Sequence, residues 1–319
     1  MGRQTTPAAG PSRTVTTAAG PLRVGVVGAG PWASLFHVPA LVAHPDVELA
    51  AVWARRAAAA AEVVGPNGAT AHDSFDRFLD DVDAVVFAVP PDVQAELAAR
   101  AAVAGKALLL EKPLALDLVA AERLAAVVQD AGVPTQMVLT WRYAPTIRAF
   151  VEMVTDTQPL GGRGWFLTGG FLGGVFATPW RLQYGPLFDL GPHVIDLLDA
   201  TLGTVVGIRA HGDPHRWVGL LLEHEGGATS EVSLTAYSAL GPGRAGVEVY
   251  TADGVLEVAT TGVSASASIA LVDEFVATVR SGVPHALDVL HGVHLQRLLA
   301  MAAEDLARGG HEPPGGRAG

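Results

Sequence analysis

The chain has no cysteine. Disulfides, thiol catalysis, zinc fingers and iron–sulfur centres are thereby excluded. It has no run of 18 uncharged apolar residues, so no transmembrane helix is expected. Its longest greasy stretches, Ala84–Val89 and Ala107–Leu110, are of strand length. Charge is sparse, at 17% of residues, and the net charge of −11 argues against nucleic acid as the main partner. Lysine is almost missing: of 21 basic residues only Lys106 and Lys112 are lysines, which makes each a candidate for a chemical role. The 11 histidines show no HExxH or other metal-binding spacing, and no metal is expected.

Half of the residues are hydrophobic, enough for a large core, and this excludes disorder, collagen and coiled coil. A length of 319 residues suits two domains. Residues 1–20 are rich in Thr, Ala, Pro and Gly and lack the apolar centre of a secretory signal. They are expected to form a disordered tail, as is the Gly/Pro-rich stretch 309–319. The expected compartment is the cytoplasm.

Leu22–Val27 reads as a strand that ends in Gly28-Ala29-Gly30. A helical pattern follows, with Leu35, Val38, Leu41 and Val42 on one face, and then a strand at Val47–Trp53. Helical patterns at 57–64, 74–80, 93–104 and 118–131 alternate with strands at 84–89, 107–110 and 135–140. Continuous apolar strands alternating with helices imply a parallel sheet covered on both faces. Beyond residue 141 the pattern changes. Helices are expected near 146–155, 187–202, 270–280 and 288–308. A strand is expected within 161–174, and closely spaced strands at 205–212, 217–223, 229–236, 247–251 and 255–258. Short connections imply antiparallel pairing. The fold class is therefore α/β: an N-terminal Rossmann fold, plus a C-terminal α+β domain with a mostly antiparallel open sheet. The expected domains are 21–140 for dinucleotide binding and 141–308 for substrate binding and oligomerisation.

Gly28-x-Gly30-x-x-Ala33 fits the dinucleotide-binding turn. The first glycine permits the tight turn and the second lets backbone approach a pyrophosphate. The third position must be small for the helix to pack on the strand. Its place between a strand and a helix is the context that the pattern requires. A carboxylate at the end of the second strand would bind a ribose 2′-hydroxyl. Here Ala54-Arg55-Arg56 stand there, and two arginines would attract a 2′-phosphate. This tilts the cofactor towards NADP over NAD; the other reading is that they begin a solvated helix. Pro90 closes the strand at 84–89 and is counted with the cofactor-binding residues. Lys112 follows the strand at 107–110, at the carboxyl edge where ligands bind in open α/β sheets. It could stabilise a developing oxyanion. Pro113 stiffens that loop and permits a cis bond. Asp189 and His193 are four apart and share a face if both lie on one helix, with Asp196 in the same polar stripe. A histidine beside a carboxylate suits general acid/base work. The alternatives are that Asp189 caps a helix ahead of Pro192 and that His193 is a hydrogen-bonded interior residue.

These segments together resemble the glucose–fructose oxidoreductase / inositol dehydrogenase (Gfo/Idh/MocA) family. The resemblance is carried by RVGVVGAGPWASLFHVPAL (23–41), DAVVFAVPP (83–91), AGKALLLEKPLA (104–115), WRYAP (141–145) and DLGPHVIDLL (189–198). It implies hydride transfer between nicotinamide and a secondary alcohol or ketone of a sugar, cyclitol or related polyol. Lys112 would bind the reacting oxygen, His193 would take the hydroxyl proton, and Asp189 would orient the substrate or the histidine. Glu111 would lie near the nicotinamide ribose and Arg142 near the mouth of the site. The chain departs from the family at Gly185-Pro186-Leu187, where a triple glycine is frequent, at Gln94, where histidine is frequent, and at Ala54, where aspartate is frequent. Trp141, Tyr143, Phe171, Phe176, Trp180 and Tyr184 either wall a sugar pocket or belong to the core; Trp180 and Tyr184, with Gln94, are taken as substrate contacts. The resemblance also implies a homodimer or homotetramer formed through the C-terminal sheet. Two other roles fit the fold, a dinucleotide-binding sensor without catalysis and a glycosidase that recycles bound NAD.

Overall fold

A computed structural model describes residues 20–262 and 264–309. The tails expected at 1–20 and 309–319 lie outside these residues, apart from Gly20 and Gly309. The apolar run β1 (Leu22–Val27) buries every side chain but that of Arg23. The chain then turns through the glycines into a helix whose π-helical segment, Ala33–His37, leads into α1 (Val38–Ala43). There follow β2 (Val47–Trp53), α2 (Ala57–Val64), β3 (Thr70–His72), α3 (Phe75–Asp80), β4 (Ala84–Phe87), α4 (Pro91–Val103), β5 (Ala107–Glu111), α5 (Leu118–Ala131) and β6 (Thr135–Val138). The six strands form one sheet in the order β3-β2-β1-β4-β5-β6. β1 is parallel to β2 and to β4, β2 to β3, and β4 to β5. Every residue of β4 and β5 is buried, as a strand covered on both faces requires. The strand order reverses between β1 and β4, and an open α/β sheet binds its ligand in the crevice at that point.

The first helix departs from the sequence pattern. Phe36, His37, Val38 and Leu41 are buried, whereas Leu35 and Val42 are 66% and 49% exposed. Pro39 explains the shift. It has no N–H for the Leu35 carbonyl, and its ring would clash there. The turn widens until the Val38 N–H donates to the Ala33 carbonyl, five residues back. One extra residue in a turn rotates the inward face by about 100°.

After β6 the chain forms a 3₁₀ turn at Thr140–Tyr143. The strand expected to reach Thr140 thus stops at Val138. Next come α6 (Pro145–Thr155), β7 (Pro159–Leu167), α7 (Pro179–Asp189) and α8 (Gly191–Leu202). β8 (Val205–Asp213), β9 (Trp217–His224), β10 (Thr229–Thr235), β11 (Arg244–Thr251) and β12 (Gly254–Ala259) follow, then α9 (Ser264–Ser281) and α10 (Val289–Gly309). The second sheet runs β12-β11-β7-β10-β9-β8. Its pairs are antiparallel except β7 with β10. β9 alternates strictly: Val218, Leu220 and Leu222 are buried, Trp217, Leu221 and Glu223 exposed. The buried helix α8 lies close to β7, because a β-carbon on Gly162 would meet Leu198 and Leu202 and one on Gly164 would meet Val194.

The single helix expected at 187–202 is two helices. Pro192 cannot donate to the Phe188 carbonyl, and its ring would strike it, so α7 ends at Asp189 and α8 restarts beyond Leu190. Asp189 therefore does not cap α8, whose N-cap is Leu190 without a side-chain bond.

The chain divides into two compact units. One holds the described residues up to Leu110, with Glu122–Met137 and Val272–Leu290; the other holds Glu111–Ala121, Val138–Leu271 and His291 onward. No helix among the described residues is long and apolar enough to cross a membrane.

Candidate functional site

In the first unit a cleft of about 480 Å³ opens at the carboxyl ends of β1, β2 and β4. Its walls are the Gly28–Gly30 turn, the Trp53–Arg56 segment, and Ala88–Pro90. Gly28 has φ +121°, and a β-carbon there would collide with the Ala88 carbonyl. A β-carbon on Gly30 would meet nothing within 4 Å; it would fill the cleft itself. Ala33, the small third residue of the pattern, is fully buried behind the turn. Arg55 and Arg56 are exposed, and neither side chain has a partner among the described residues. Pro90 is the N-cap of α4, and Gln94 is fully buried in that helix's first turn. The open glycine turn, the small residue behind it and the cationic edge together fit an extended anionic cofactor.

The second unit carries the chemical groups. Lys112 follows β5, and its peptide bond to Pro113 is cis. The Lys112 ammonium donates to the Asp189 backbone carbonyl (2.7 Å) and to Asp189 Oδ1 (2.8 Å). The carbonyl is one of the orphan acceptors that end α7, where a cation is also favoured by the helix dipole. Asp189 Oδ1 takes a second cation, Arg181 Nε, at 3.0 Å. Arg181 reaches back over the break at Gly185 (φ +71°) and Pro186, its guanidinium 4.7 Å from the Trp180 ring and its Nη1 donating to Thr178 Oγ1. Burial raises the Asp189 pKa, but Lys112 and Arg181 overcome it and hold the carboxyl at about 2. His193 stands in the first turn of α8, 5.3 Å from the Trp141 ring and stacked on it. Burial and then the Lys112 charge push its pKa well below 6.5 against the opposing pull of Asp189, so the ring is neutral at pH 7. Its Nδ1 is buried without a partner among the described residues. Glu111, the last residue of β5, is buried, and its carboxylate accepts from the Lys112 backbone N–H (3.2 Å).

The structure brings Lys112 and Asp189 together, a contact the sequence did not suggest, and Asp189 serves two cations and makes no hydrogen bond to His193. Arg142 lies in the 3₁₀ turn and donates to Asp196 Oδ1 (2.8 Å), an oxygen that His291 Nε2 also reaches at 2.7 Å. Asp196 holds His291 above its ordinary pKa in spite of burial. Trp141, Tyr143 and Phe171 are core residues; Trp180 and Tyr184 are half-buried, and Phe176 is 37% exposed. Sequence reasoning missed Arg181. One arginine among many carries no signal until the kink folds it onto Asp189. Among the described residues no three histidines or carboxylates converge on a metal position.

Comparison with known proteins covers both halves of this description. Residues 22–138 match the model described as "Oxidoreductase family, NAD-binding Rossmann fold". The chain is 28% identical to a dTDP-3,4-didehydro-2,6-dideoxy-alpha-D-glucose 3-reductase of Streptomyces violaceoruber, over 70% of this chain and 64% of that one. It is 34% identical to an inositol 2-dehydrogenase of Rhizobium meliloti, over 38% and 37% of the two chains. The matched stretches span 30% to 64% of the curated relatives. Among solved structures, GenD2 from gentamicin A biosynthesis, in complex with NAD, superposes with a TM-score of 0.80 at 25% identity, over 96% of this chain and 98% of that one.

Proposed function

We propose that the chain, whose residues 22–138 match a model of the Gfo/Idh/MocA oxidoreductases, is a member of that family and an NAD(P)-dependent dehydrogenase or reductase. Its reaction is hydride transfer between nicotinamide and a secondary alcohol or ketone of a sugar, cyclitol or related polyol. The observation that carries the proposal is the Lys112–Asp189 pair set in one unit with a histidine kept neutral. The named relatives that act on sugars and inositols support the substrate class.

Gly28, Gly30, Ala33, Pro90, Arg55 and Arg56 hold the cofactor, with Glu111 at its nicotinamide ribose. NADP is favoured over NAD because Arg55 and Arg56 are exposed cations with no side-chain partner among the described residues, where a 2′-phosphate would need them. When bound, the nicotinamide supplies the hydride acceptor. The chain's own residues manage the oxygen and the proton. Two of the three Lys112 ammonium hydrogens are committed to Asp189. The third donates to the substrate oxygen and stabilises the charge that develops on it. Neutral His193 has a lone pair free to accept the hydroxyl proton as the carbon–oxygen double bond forms. Asp189 fixes the Lys112 ammonium through two acceptors. Gln94, Arg142, Trp180 and Tyr184 are the proposed substrate contacts. Residues 21–140 act as the dinucleotide-binding domain and 141–308 as the substrate domain. The latter's outer sheet face joins copies into a homodimer or homotetramer, a reading supported by the exposed Trp217, Leu221 and Tyr250.

The test is turnover of Lys112→Ala and His193→Ala against wild type, in a screen of sugars, inositols and polyols with NADP and NAD. Each variant is expected to lose about 10²- to 10⁴-fold in rate while still binding cofactor. Near-wild-type turnover in either variant overturns the role given to that residue.

A further inference from the structure

A carboxylate aims an ammonium group only if the carboxylate is itself held. Lys112 Nζ rests on the Asp189 backbone carbonyl and on Asp189 Oδ1, at 2.7 and 2.8 Å. The end of α7 fixes the carbonyl, but the carboxylate turns on two side-chain bonds. Arg181 stops that rotation: its Nε donates to the same Oδ1 at 3.0 Å. Arg181 is braced in turn. Its Nη1 donates to Thr178 Oγ1 at 3.3 Å, and its guanidinium lies 4.7 Å from the Trp180 ring and 5.7 Å from the Phe176 ring. A planar group held by a hydrogen bond and two rings presents its Nε–H in one direction. The side chains of Lys112, Asp189 and Arg181 are 12%, 11% and 17% exposed, so little water competes for these bonds. The ionisable groups around the cluster are Lys112 and Glu111 at the end of β5, Arg181 on α7 and the neutral His193 on α8. Glu111 accepts from the Lys112 backbone N–H.

We infer that Arg181 is a positioning residue for the reaction: it fixes the Asp189 carboxylate and so aims the Lys112 ammonium at the substrate oxygen. The inference rests on the dehydrogenase reading and adds a residue to it. In this role Arg181 acts through Asp189 and touches neither substrate nor cofactor. It also ties the segment from Phe176 to Trp180 to the reacting centre, since the rings that brace the guanidinium set where Asp189 is held.

The scarcity of lysine makes this directly measurable. Protein labelled at lysine Cε gives two signals, Lys112 and Lys106, and Lys106, bonded to the Val82 carbonyl, is the internal reference. Lys112 Nζ is bonded to Asp189 Oδ1, so its signal follows the protonation of that carboxyl. Burial raises the Asp189 pKa, yet Lys112 and Arg181 hold it at about 2. Between pH 7 and pH 3 the wild-type signal is therefore expected to travel only about a tenth of its course. A neighbouring arginine lowers a carboxyl by about one pH unit or more, so in Arg181→Gln the signal should travel about half its course or more by pH 3. It should also stand at a different position at pH 7, with Lys106 unmoved. Glu111 sits beside Lys112 in both proteins, so the difference between the two curves belongs to Asp189. With the sugar or inositol that the wild type turns over fastest, Arg181→Gln is expected to lose about tenfold in kcat and to keep KM within about threefold, and Arg181→Lys to recover part of the rate. If the glutamine variant does not fold, the lysine variant carries the same comparison of kcat with KM. The inference is overturned if Lys112 in Arg181→Gln matches wild type at every pH, or if KM rises while kcat is kept, which marks a substrate contact. The titration needs no turnover and so separates the two claims. A wild type that turns over none of the compounds sinks the dehydrogenase reading, whereas an unchanged Lys112 signal in the glutamine variant sinks this inference alone.

Discussion

Replacing Asp189 with asparagine keeps the shape of the side chain and removes the charge that holds two cations. Burial disfavours the ionised carboxyl, yet Lys112 and Arg181, by charge and by hydrogen bond, bring its pKa from 3.8 down to about 2. A carboxyl depressed in this way contributes stability above its unfolded pKa, and that stability is lost as pH falls through the folded value. The gap between 3.8 and about 2 amounts to about 2 kcal/mol, of which about 1 kcal/mol is already lost at pH 3. Removing the carboxylate also leaves two buried cations without their partner, at a cost of about 3 kcal/mol or more at neutral pH. Urea unfolding of wild type and Asp189→Asn at a series of pH values from 7 to 3 measures both effects. The variant is expected to be less stable at pH 7. The difference is expected to shrink by about 1 kcal/mol on reaching pH 3, because only the wild type titrates there. A stability difference that does not change with pH would refute the reasoning.

Three further outcomes are expected. Gly28→Ala forces a side chain into φ +121° and against the Ala88 carbonyl, so it should cost roughly 2–3 kcal/mol and abolish dinucleotide binding; a wild-type melting temperature would contradict this. His193 should be neutral throughout pH 6 to 8 by ¹⁵N ring shifts, since burial and Lys112 lower its pKa. Because its folded pKa is depressed, this residue stabilises the fold above pH 6.5 and less as pH falls below it; a His193→Gln variant should lack that dependence. Replacing Arg55 and Arg56 by serine should weaken NADPH about tenfold or more and leave NADH unchanged, and equal losses for both would remove the arginines from 2′-phosphate recognition.

The first sheet was legible because its strands are buried on both faces. Ala84–Val89 and Ala107–Leu110 read as unbroken apolar runs, and the glycine turn between β1 and its helix announces its own backbone needs. Two proline effects were misread. Pro39 widens a helical turn and so exposes Leu35 and Val42; Pro192 breaks a helix that apolar spacing alone carries straight from 187 to 202. Both depend on a missing N–H in the backbone and leave the hydrophobic pattern unchanged. At the candidate site, Lys112, Asp189 and His193 stood out by rarity and motif. Their partners did not. Arg181 meets Asp189 only because the chain kinks at Gly185–Pro186, and Trp141 meets His193 only because the 3₁₀ turn packs on α8. Such contacts depend on tertiary placement, to which local sequence contributes little.

The measurement that tests the central claim most directly is cofactor binding to the purified protein, with NADPH and NADH titrated separately and followed by nicotinamide fluorescence. The account predicts saturable binding of both, with NADPH the tighter. Binding of neither would contradict it, because the glycine turn, the cleft above it and the Lys112–Asp189–His193 group have no shared purpose without the cofactor.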